Sequence, residues 1–331
     1  MHRRVITYSR NVFLPLTHVC HNRCGYCSFK RPVGKDALMD PREVTRILML
    51  GHKTGCTEAL LTFGERPEKE PGFSSLLLPM GYESILDYCY DVCKKAITLG
   101  ILPHTNAGII SPSEMKRLKE VNASMGLMLE TTADIPAHHN SPGKKPEVRI
   151  EMIAEAGRQK IPFTTGLLLG IGEKQDDREE SLHVIRDLHT RYHHIQEVII
   201  QNFCPKEGTD MEEMKPAELK CITDTVTMAK EILQPDIAIQ IPPNLANVAD
   251  IIPFGVDDLG GISPVTIDYV NPEHPWPQIE EIQSLIGDTQ LQERLCIYPE
   301  YIRKKWYSDR LSDLITHHSR EIYHLGTNNA Q

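Results

Sequence analysis

The segment NVFLPLTHVCHNRCGYC, residues 11–27, decides how the rest of the chain is read. Its first part, Asn11 to Thr17, is a short apolar run bounded by polar text, which is the mark of a buried strand. Its second part carries Cys20, Cys24 and Cys27 in CxxxCxxC spacing, enough thiolates for three corners of a cubane iron–sulfur cluster. A four-iron cluster normally takes four thiolates, so three at close spacing leave one iron open to a ligand that is not protein. That arrangement suits catalysis rather than electron carriage.

Zinc and disulfides are the competing readings. A structural zinc site needs four closed ligands, commonly as two paired knuckles, and the chain has no second CxxC. His18 and His21 sit beside the cysteines and keep a zinc site open as an alternative. The nine cysteines are odd in number, and residues 1–10 are basic and polar with no apolar segment of signal-peptide length, so export to an oxidising compartment is not expected. Cys56, Cys89, Cys93, Cys204, Cys221 and Cys296 are scattered. Cys89 and Cys93 are four apart on a predicted helix, where a buried apolar role is expected.

With 331 residues, of which 40% are hydrophobic, the chain can bury a sizeable core, as one α/β barrel or as two domains. A net charge of −9 argues against a nucleic-acid surface, which needs clustered Lys and Arg. No apolar run reaches the roughly 18 residues of a membrane span. The expectation is a soluble cytoplasmic protein with a small-molecule partner, no nucleic acid and no membrane.

Outward from the cysteines, apolar strands alternate with helical patterns. Asp40-Pro41-Arg42-Glu43 is a helix start, with Asp as N-cap and Pro at the first helical position. EALLT at 58–62 gives a second strand, and SILDYCYDVCKKAITLG a helix that ends at Gly100, where a capping glycine belongs. ILPHTN, SMGLMLE, FTTGLLLG, EVIIQN, IAIQIP and a weaker stretch at 256–259 supply strands three to eight. Helical text near 113–121, 146–159, 178–192, 216–233 and 245–251 separates them. Eight strand–helix units favour a closed (β/α)8 TIM-like barrel with a parallel sheet. Its eighth unit is weakly marked, so an incomplete barrel stays open. Helical text after Pro272 predicts extra C-terminal helices that cap the barrel or pack against it. The reading is one domain over 1–331, with a core at about 8–260 and an extension at about 272–326.

Active sites of such barrels lie at the C-terminal ends of the strands. The cysteine loop follows strand one. Gly64 and Glu65 follow strand two, His104 and Asn106 end strand three, and Glu130 ends strand four. Strand five runs through Gly166 to Gly170 and Glu173, a glycine-rich stretch that is neither a P-loop nor a dinucleotide fingerprint but can take a flat ring such as adenine against its backbone. Gln201 and Asn202 end strand six with two amides that can both donate and accept. An open iron beside these groups suggests S-adenosylmethionine (SAM) as the missing ligand.

With Tyr26 as the aromatic residue before Cys27, CHNRCGYC resembles the core motif of the radical SAM enzymes. The resemblance implies that Cys20, Cys24 and Cys27 hold a [4Fe–4S] cluster whose fourth iron binds SAM. It also implies that Gly64 and Glu65 contact the methionyl amine, with Phe63 in place of the family's first glycine. Glu130 and Arg149 then anchor ribose and carboxylate, and the segment from Gly166 through Gly170 to Glu173 lies beside the adenosine.

Longer phrases, PHTNAG at 103–108, LLLGIGE at 167–173, QNFCPKEGT at 201–209, PPNL at 242–245 and DDLGGISPVT at 257–266, are similar to the deazaflavin-forming branch of that family. This implies a substrate that joins a 4-hydroxybenzyl group to a ribitylated aminouracil. A partner radical SAM subunit makes that adduct from tyrosine, and an electron donor is required. The expected product is 7,8-didemethyl-8-hydroxy-5-deazariboflavin, formed by hydrogen abstraction, ring closure and ammonia loss. His104, Asn106, Gln201, Asn202, Asp257 and Asp258 are the rim residues nominated for substrate, His104 also for proton movement. Alternatives are another radical SAM reaction, such as sulfur insertion or cofactor maturation, and a non-catalytic iron–sulfur or zinc protein. The paired histidines, His138-His139, His193-His194 and His317-His318, are read as surface residues without a site.

Overall fold

The computed structural model describes residues 4–323. In chain order its elements are β1 (Val5–Leu14), α1 (Pro41–Lys53), β2 (Glu58–Thr62), α2 (Ser74–Leu77), α3 (Ile85–Thr98), β3 (Leu102–Asn106), α4 (Pro112–Lys119), β4 (Ser124–Gly126), α5 (Pro146–Arg158) and β5 (Phe163–Leu169). They continue with α6 (Gln175–Tyr192), β6 (Ile195–Asn202), α7 (Leu219–Ile232), β7 (Ala238–Gln240), α8 (Val248–Ile251), β8 (Asp258–Ile262), α9 (Ile279–Ile286), β9 (Gln290–Glu293), α10 (Pro299–Arg303) and α11 (Ser312–Tyr323).

Neighbouring strands pair in parallel from β1 through β8, and β8 pairs back to β1 through Thr7, Ser9 and Arg10, so the ring closes. The weakly marked eighth unit is therefore a full member. Local signals act as their chemistry dictates. Asp40 Oδ1 accepts from Arg42 N at 2.7 Å to open α1. Ser84 and Asp87 form a reciprocal capping box on α3, and Gly100 takes the left-handed conformation just past its end, at φ +79°.

Several strands differ from expectation, among them β7, which keeps only Ala238–Gln240, and β8, which spans Asp258–Ile262 and not 256–259. β1 starts at Val5 and ends at Leu14, because Pro15 has no N–H for a ladder. β4 keeps only three residues, and its chain rejoins the sheet at a single bridge from Glu130 to Leu167. The long β1 also accommodates β9, which pairs with Val5–Tyr8, while β2 pairs with Asn11–Leu14.

β9 delivers Arg294 into the barrel from its N-terminal end, where Glu58, Glu197 and Asp258 are buried. Arg294 Nη2 lies 2.6 Å from Glu197 Oε2, and its Nε lies 2.6 Å from Asp258 Oδ2. The Tyr298 ring stacks on the guanidinium at 4.7 Å, and its hydroxyl donates to Glu197 at 3.1 Å. Ser9 donates to Glu58. Burial pushes the Glu58 carboxyl up to about 7, against the pull of Arg294 and Ser9. Leu295, Ile297, Tyr301, Leu311 and Ile315 form a second core against Leu102 and Ala123, so the C-terminal extension seals the lower mouth of the barrel.

Arg294→Met should cost about 3–5 kcal/mol in denaturant unfolding near neutral pH, because it strands two buried carboxylates without a counter-charge. Glu58 binds its proton more tightly folded than unfolded, so its contribution to stability is full below 4.5 and declines as pH rises to about 7. Glu58→Gln should flatten that limb of the stability–pH curve; an unaltered slope would assign the decline to other groups.

Candidate active site

After Pro15 the chain forms a long loop whose base is closed by a bridge between Thr17 and Leu38. Gly64, past the end of β2, donates its N–H to Thr17 O at 2.9 Å, and a Cβ on it would lie 1.9 Å from the Val19 carbonyl oxygen. Only glycine lets the cysteine loop lie this close to the β2 end. Glu65 N donates to Cys20 Sγ at 3.2 Å, and its carbonyl accepts from His21 N at 2.8 Å. Ser141 Oγ donates to Cys24 Sγ at 3.3 Å. Burial pushes the Cys20 thiol up to about 11 and raises that of Cys24, so these thiols ionise against a metal rather than alone.

Cys20, Cys24 and Cys27 line one cavity of about 340 Å³ at the C-terminal end of the barrel. Among the described residues, the only three-ligand group whose donor atoms all fall within 4.8 Å of one another is His317, His318 and Glu321. The cysteine sulfurs are thus more widely spread than the roughly 3.8 Å that tetrahedral zinc with Zn–S bonds of about 2.3 Å requires. His18 and His21 do not line the cavity: His18 Nδ1 is 3.1 Å from Phe29 O, and His21 Nδ1 is 3.8 Å from Glu70.

Glu130 lines the same cavity, and its backbone is left-handed at φ +69°. Its carboxylate accepts from Tyr26 Oη and Lys144 Nζ and lies 3.0 Å from His138 Nε2. Burial alone would raise its pKa, but Lys144, Arg149 and His138 together hold it well below the usual carboxylate range. Arg149 is buried, donates to Met128 O, and leaves its Nε without a partner. Glu65 turns its side chain between Gly108 and Gly143 and accepts from Ile109 N at 3.0 Å.

The structure sorts the nominated residues. Cys20, Cys24, Cys27, Tyr26, Gly64, Glu65, Asn106, Glu130, Arg149 and Gln201 share the cavity. His104 lies outside its lining and bonds Ser124 Oγ at 2.6 Å, and burial lowers its pKa to about 4. Asn202 does not join Gln201, because adjacent strand residues face opposite ways; its amide reaches Leu245 O at 3.2 Å instead. Asp258 starts β8 and is consumed by Arg294 at the opposite end of the barrel, and Asp257 pairs with Lys230 at 2.8 Å. Both are therefore removed from the rim, because β8 runs from Asp258 to Ile262 and the two aspartates open it instead of ending it. Gly166 and Gly170 are absent from the cavity wall. A Cβ on Gly166 would lie 2.3 Å from Ile199 O, and Gly170 is a turn residue at φ +91° whose N–H bonds Glu173.

His138, Ser141 and Lys144 join the site without a signal in the sequence. Their segment carries no periodic pattern, and His138 is buried rather than at the surface, as are His194 and His318.

The pattern of the radical SAM superfamily matches residues 14–185. The chain belongs to the radical SAM superfamily. It is also 61% identical over 315 residues to the 7,8-didemethyl-8-hydroxy-5-deazariboflavin synthase of Methanosphaerula palustris, covering 95% of this chain and 96% of that one. The synthase of that name from Methanoculleus marisnigri is 62% identical over 315 residues, covering 95% of each. Within the superfamily the chain belongs to this synthase family and is a radical SAM enzyme. A crystal structure of the [FeFe]-hydrogenase maturase HydG matches with a TM-score of 0.70 at 14% identity, over 96% of this chain and 70% of that one, which reflects the shared barrel alone. Among the described residues no helix is long and apolar enough to cross a membrane.

The superfamily implies a [4Fe–4S] cluster and SAM. The residues present fit both: three thiols face one cavity, a glycine cradle admits the loop, and the unpartnered Arg149 Nε lies buried in the wall. Gly64→Ala should lower the melting temperature and weaken SAM binding at least tenfold in calorimetry, whereas Gly34→Ala, with nothing within 4 Å of its Cβ, should leave both unchanged.

Proposed function

We propose that this enzyme converts 5-amino-5-(4-hydroxybenzyl)-6-(D-ribitylimino)-5,6-dihydrouracil into 7,8-didemethyl-8-hydroxy-5-deazariboflavin, releasing ammonia and consuming SAM to 5′-deoxyadenosine and methionine. The carrying observation is the cavity itself: three cysteines and the Glu130, Lys144 and Arg149 cluster line one cavity, which shares wall residues with a chamber inside the barrel. High identity to two synthases of that name supports the substrate.

In this reading Cys20, Cys24 and Cys27 would hold the cluster, which with SAM bound would supply one-electron reductive cleavage of the sulfonium. Glu65 offers its carboxylate to the methionyl amine. Glu130 and Arg149 orient the sugar and the carboxylate. Both Glu130 oxygens already have partners, but a carboxylate oxygen can accept more than one bond, so a ribose hydroxyl can be added. Tyr26, with His138, keeps Glu130 aimed. Phe29, Phe63, Leu127 and Leu168 make the wall apolar and exclude water from a reactive site. Asn106 and Gln201 remain as substrate contacts. His104, neutral at pH 7 and outside the cavity lining, is not assigned proton transfer.

A partner radical SAM subunit supplies the adduct from tyrosine, and an electron donor reduces the cluster. Nine unpaired cysteines suit a reducing cytoplasm. Sulfur insertion would need further thiols in the cavity, and among the described residues no fourth cysteine lines it.

Mass spectrometry of an anaerobic reaction with reconstituted enzyme, reductant, SAM and the adduct should show 5′-deoxyadenosine and the hydroxylated deazaflavin together. 5′-Deoxyadenosine without the deazaflavin would sink the substrate assignment. Alanine at Cys20, Cys24 or Cys27 should abolish the brown cluster absorbance and activity, whereas Cys89→Ala should retain the cluster, because Cys89 is wholly buried near Thr105 on β3.

A further inference from the structure

Behind the cysteine cavity lies a second chamber of about 170 Å³, which shares Thr62, Ile199, Gln201 and Val270 with the first. The segment that follows β8 forms part of its wall, and Asp268 organises that segment. Asp268 is buried, yet it is not a free acid. Its Oδ1 accepts from Val270 N at 2.9 Å and Asn271 N at 3.1 Å, while its Oδ2 accepts from Asn271 Nδ2 at 3.0 Å and Asn244 Nδ2 at 2.9 Å. The acid thereby fixes the turn that presents Asn271 and Trp276 to the chamber.

Three features define what fits. The walls include flat or rigid apolar groups, Phe13, Trp276 and Pro242 among them. Gln201 on β6 and Gln240 on β7 bring two carboxamides to the same space, each with a donor and an acceptor. Trp276 Nε1 is buried without a hydrogen-bond partner, an unfavourable state that a ligand acceptor would relieve. No carboxylate in the lining is free to bind a row of hydroxyls, because Asp268 is fully engaged. The complement of these groups is a flat heterocycle with an imide edge, alternating C=O and N–H in one plane.

Resting on the deazaflavin-forming reading above, we infer that this chamber takes the pyrimidine ring of the substrate. Gln201 and Gln240 meet its imide edge, and Trp276 Nε1–H donates to a ring carbonyl. These residues, rather than those around the cysteines, determine which ring system the enzyme accepts.

The test uses anaerobic, cluster-loaded enzyme with SAM, the probe 5-amino-6-(D-ribitylamino)uracil in calorimetry, and the hydroxybenzyl adduct in turnover. Trp276→Phe keeps the ring wall and removes the donor; Gln240→Leu removes one carboxamide. Each should raise the probe Kd and the adduct KM roughly 5- to 150-fold, the equivalent of about 1–3 kcal/mol, with SAM affinity unchanged as evidence of an intact fold. Wild-type enzyme that fails to bind the probe, or variants that bind it as tightly as wild type, would overturn the inference. Deazaflavin formation by the wild type decides the proposed function separately, since it stands or falls regardless of how the variants bind the probe.

Discussion

The barrel depends on one guanidinium. In most (β/α)8 barrels the inward positions are filled by layers of branched apolar side chains. Here the lower layer holds Glu58, Glu197 and Asp258, all buried, and such a layer is tolerable only with a buried counter-charge. Arg294 supplies it, held in place by β9 on the free length of β1 and by Tyr298 stacked on its face. The C-terminal extension is thus part of the core and not an appendage. It closes the lower mouth beneath the hollow that the cysteine cavity occupies at the strand ends.

At the upper rim a single segment ties the parts together. Residues 133–145 bring Ser141 to Cys24, His138 to Tyr26 and Glu130, and Lys144 to the other Glu130 oxygen. Glu130 keeps a left-handed backbone that costs a non-glycine residue of order 1 kcal/mol or more, a strain that persists where surrounding contacts determine it. The bridge to Leu167 and three side-chain partners are those contacts. The cysteine loop and the acidic anchor are thus positioned by the same segment.

What was legible in the sequence follows from range. Asp40-Pro41 and Gly100 act within a turn of themselves, and their structures match. The cysteine spacing is local too. The parity of a strand was also legible in principle: Gln201 and Asn202 cannot both face one cavity, and alternation from Ile199 marks Gln201 as the inward one. Asp257 and Asp258 were misplaced because they open β8 rather than follow it, and a weakly marked strand leaves its ends undefined. Arg294 and β9 could not be read at all. Asp258 and Glu197 lie 36 and 97 residues from Arg294, and a four-residue strand of polar text carries no periodic signal. His138 and Lys144 share that obscurity, since loop residues acquire their roles only when the barrel brings strand ends together.

The two ends of the barrel meet at Thr164. It lines the cysteine cavity and donates its hydroxyl to Glu197 Oε1 at 2.7 Å, while the other oxygen of that carboxylate holds Arg294. The floor of the cavity therefore rests directly on the buried ion pair, through one side chain and no intervening apolar layer. A hydrogen bond to an ionised acceptor is short and directional, so Glu197 fixes the rotamer that Thr164 presents upward. Loss of the charge at the bottom would leave Glu197 to reprotonate or turn, and Thr164 would lose its anchor with it. Stability of the lower layer and the shape of the upper cavity are in this way set by the same carboxylate.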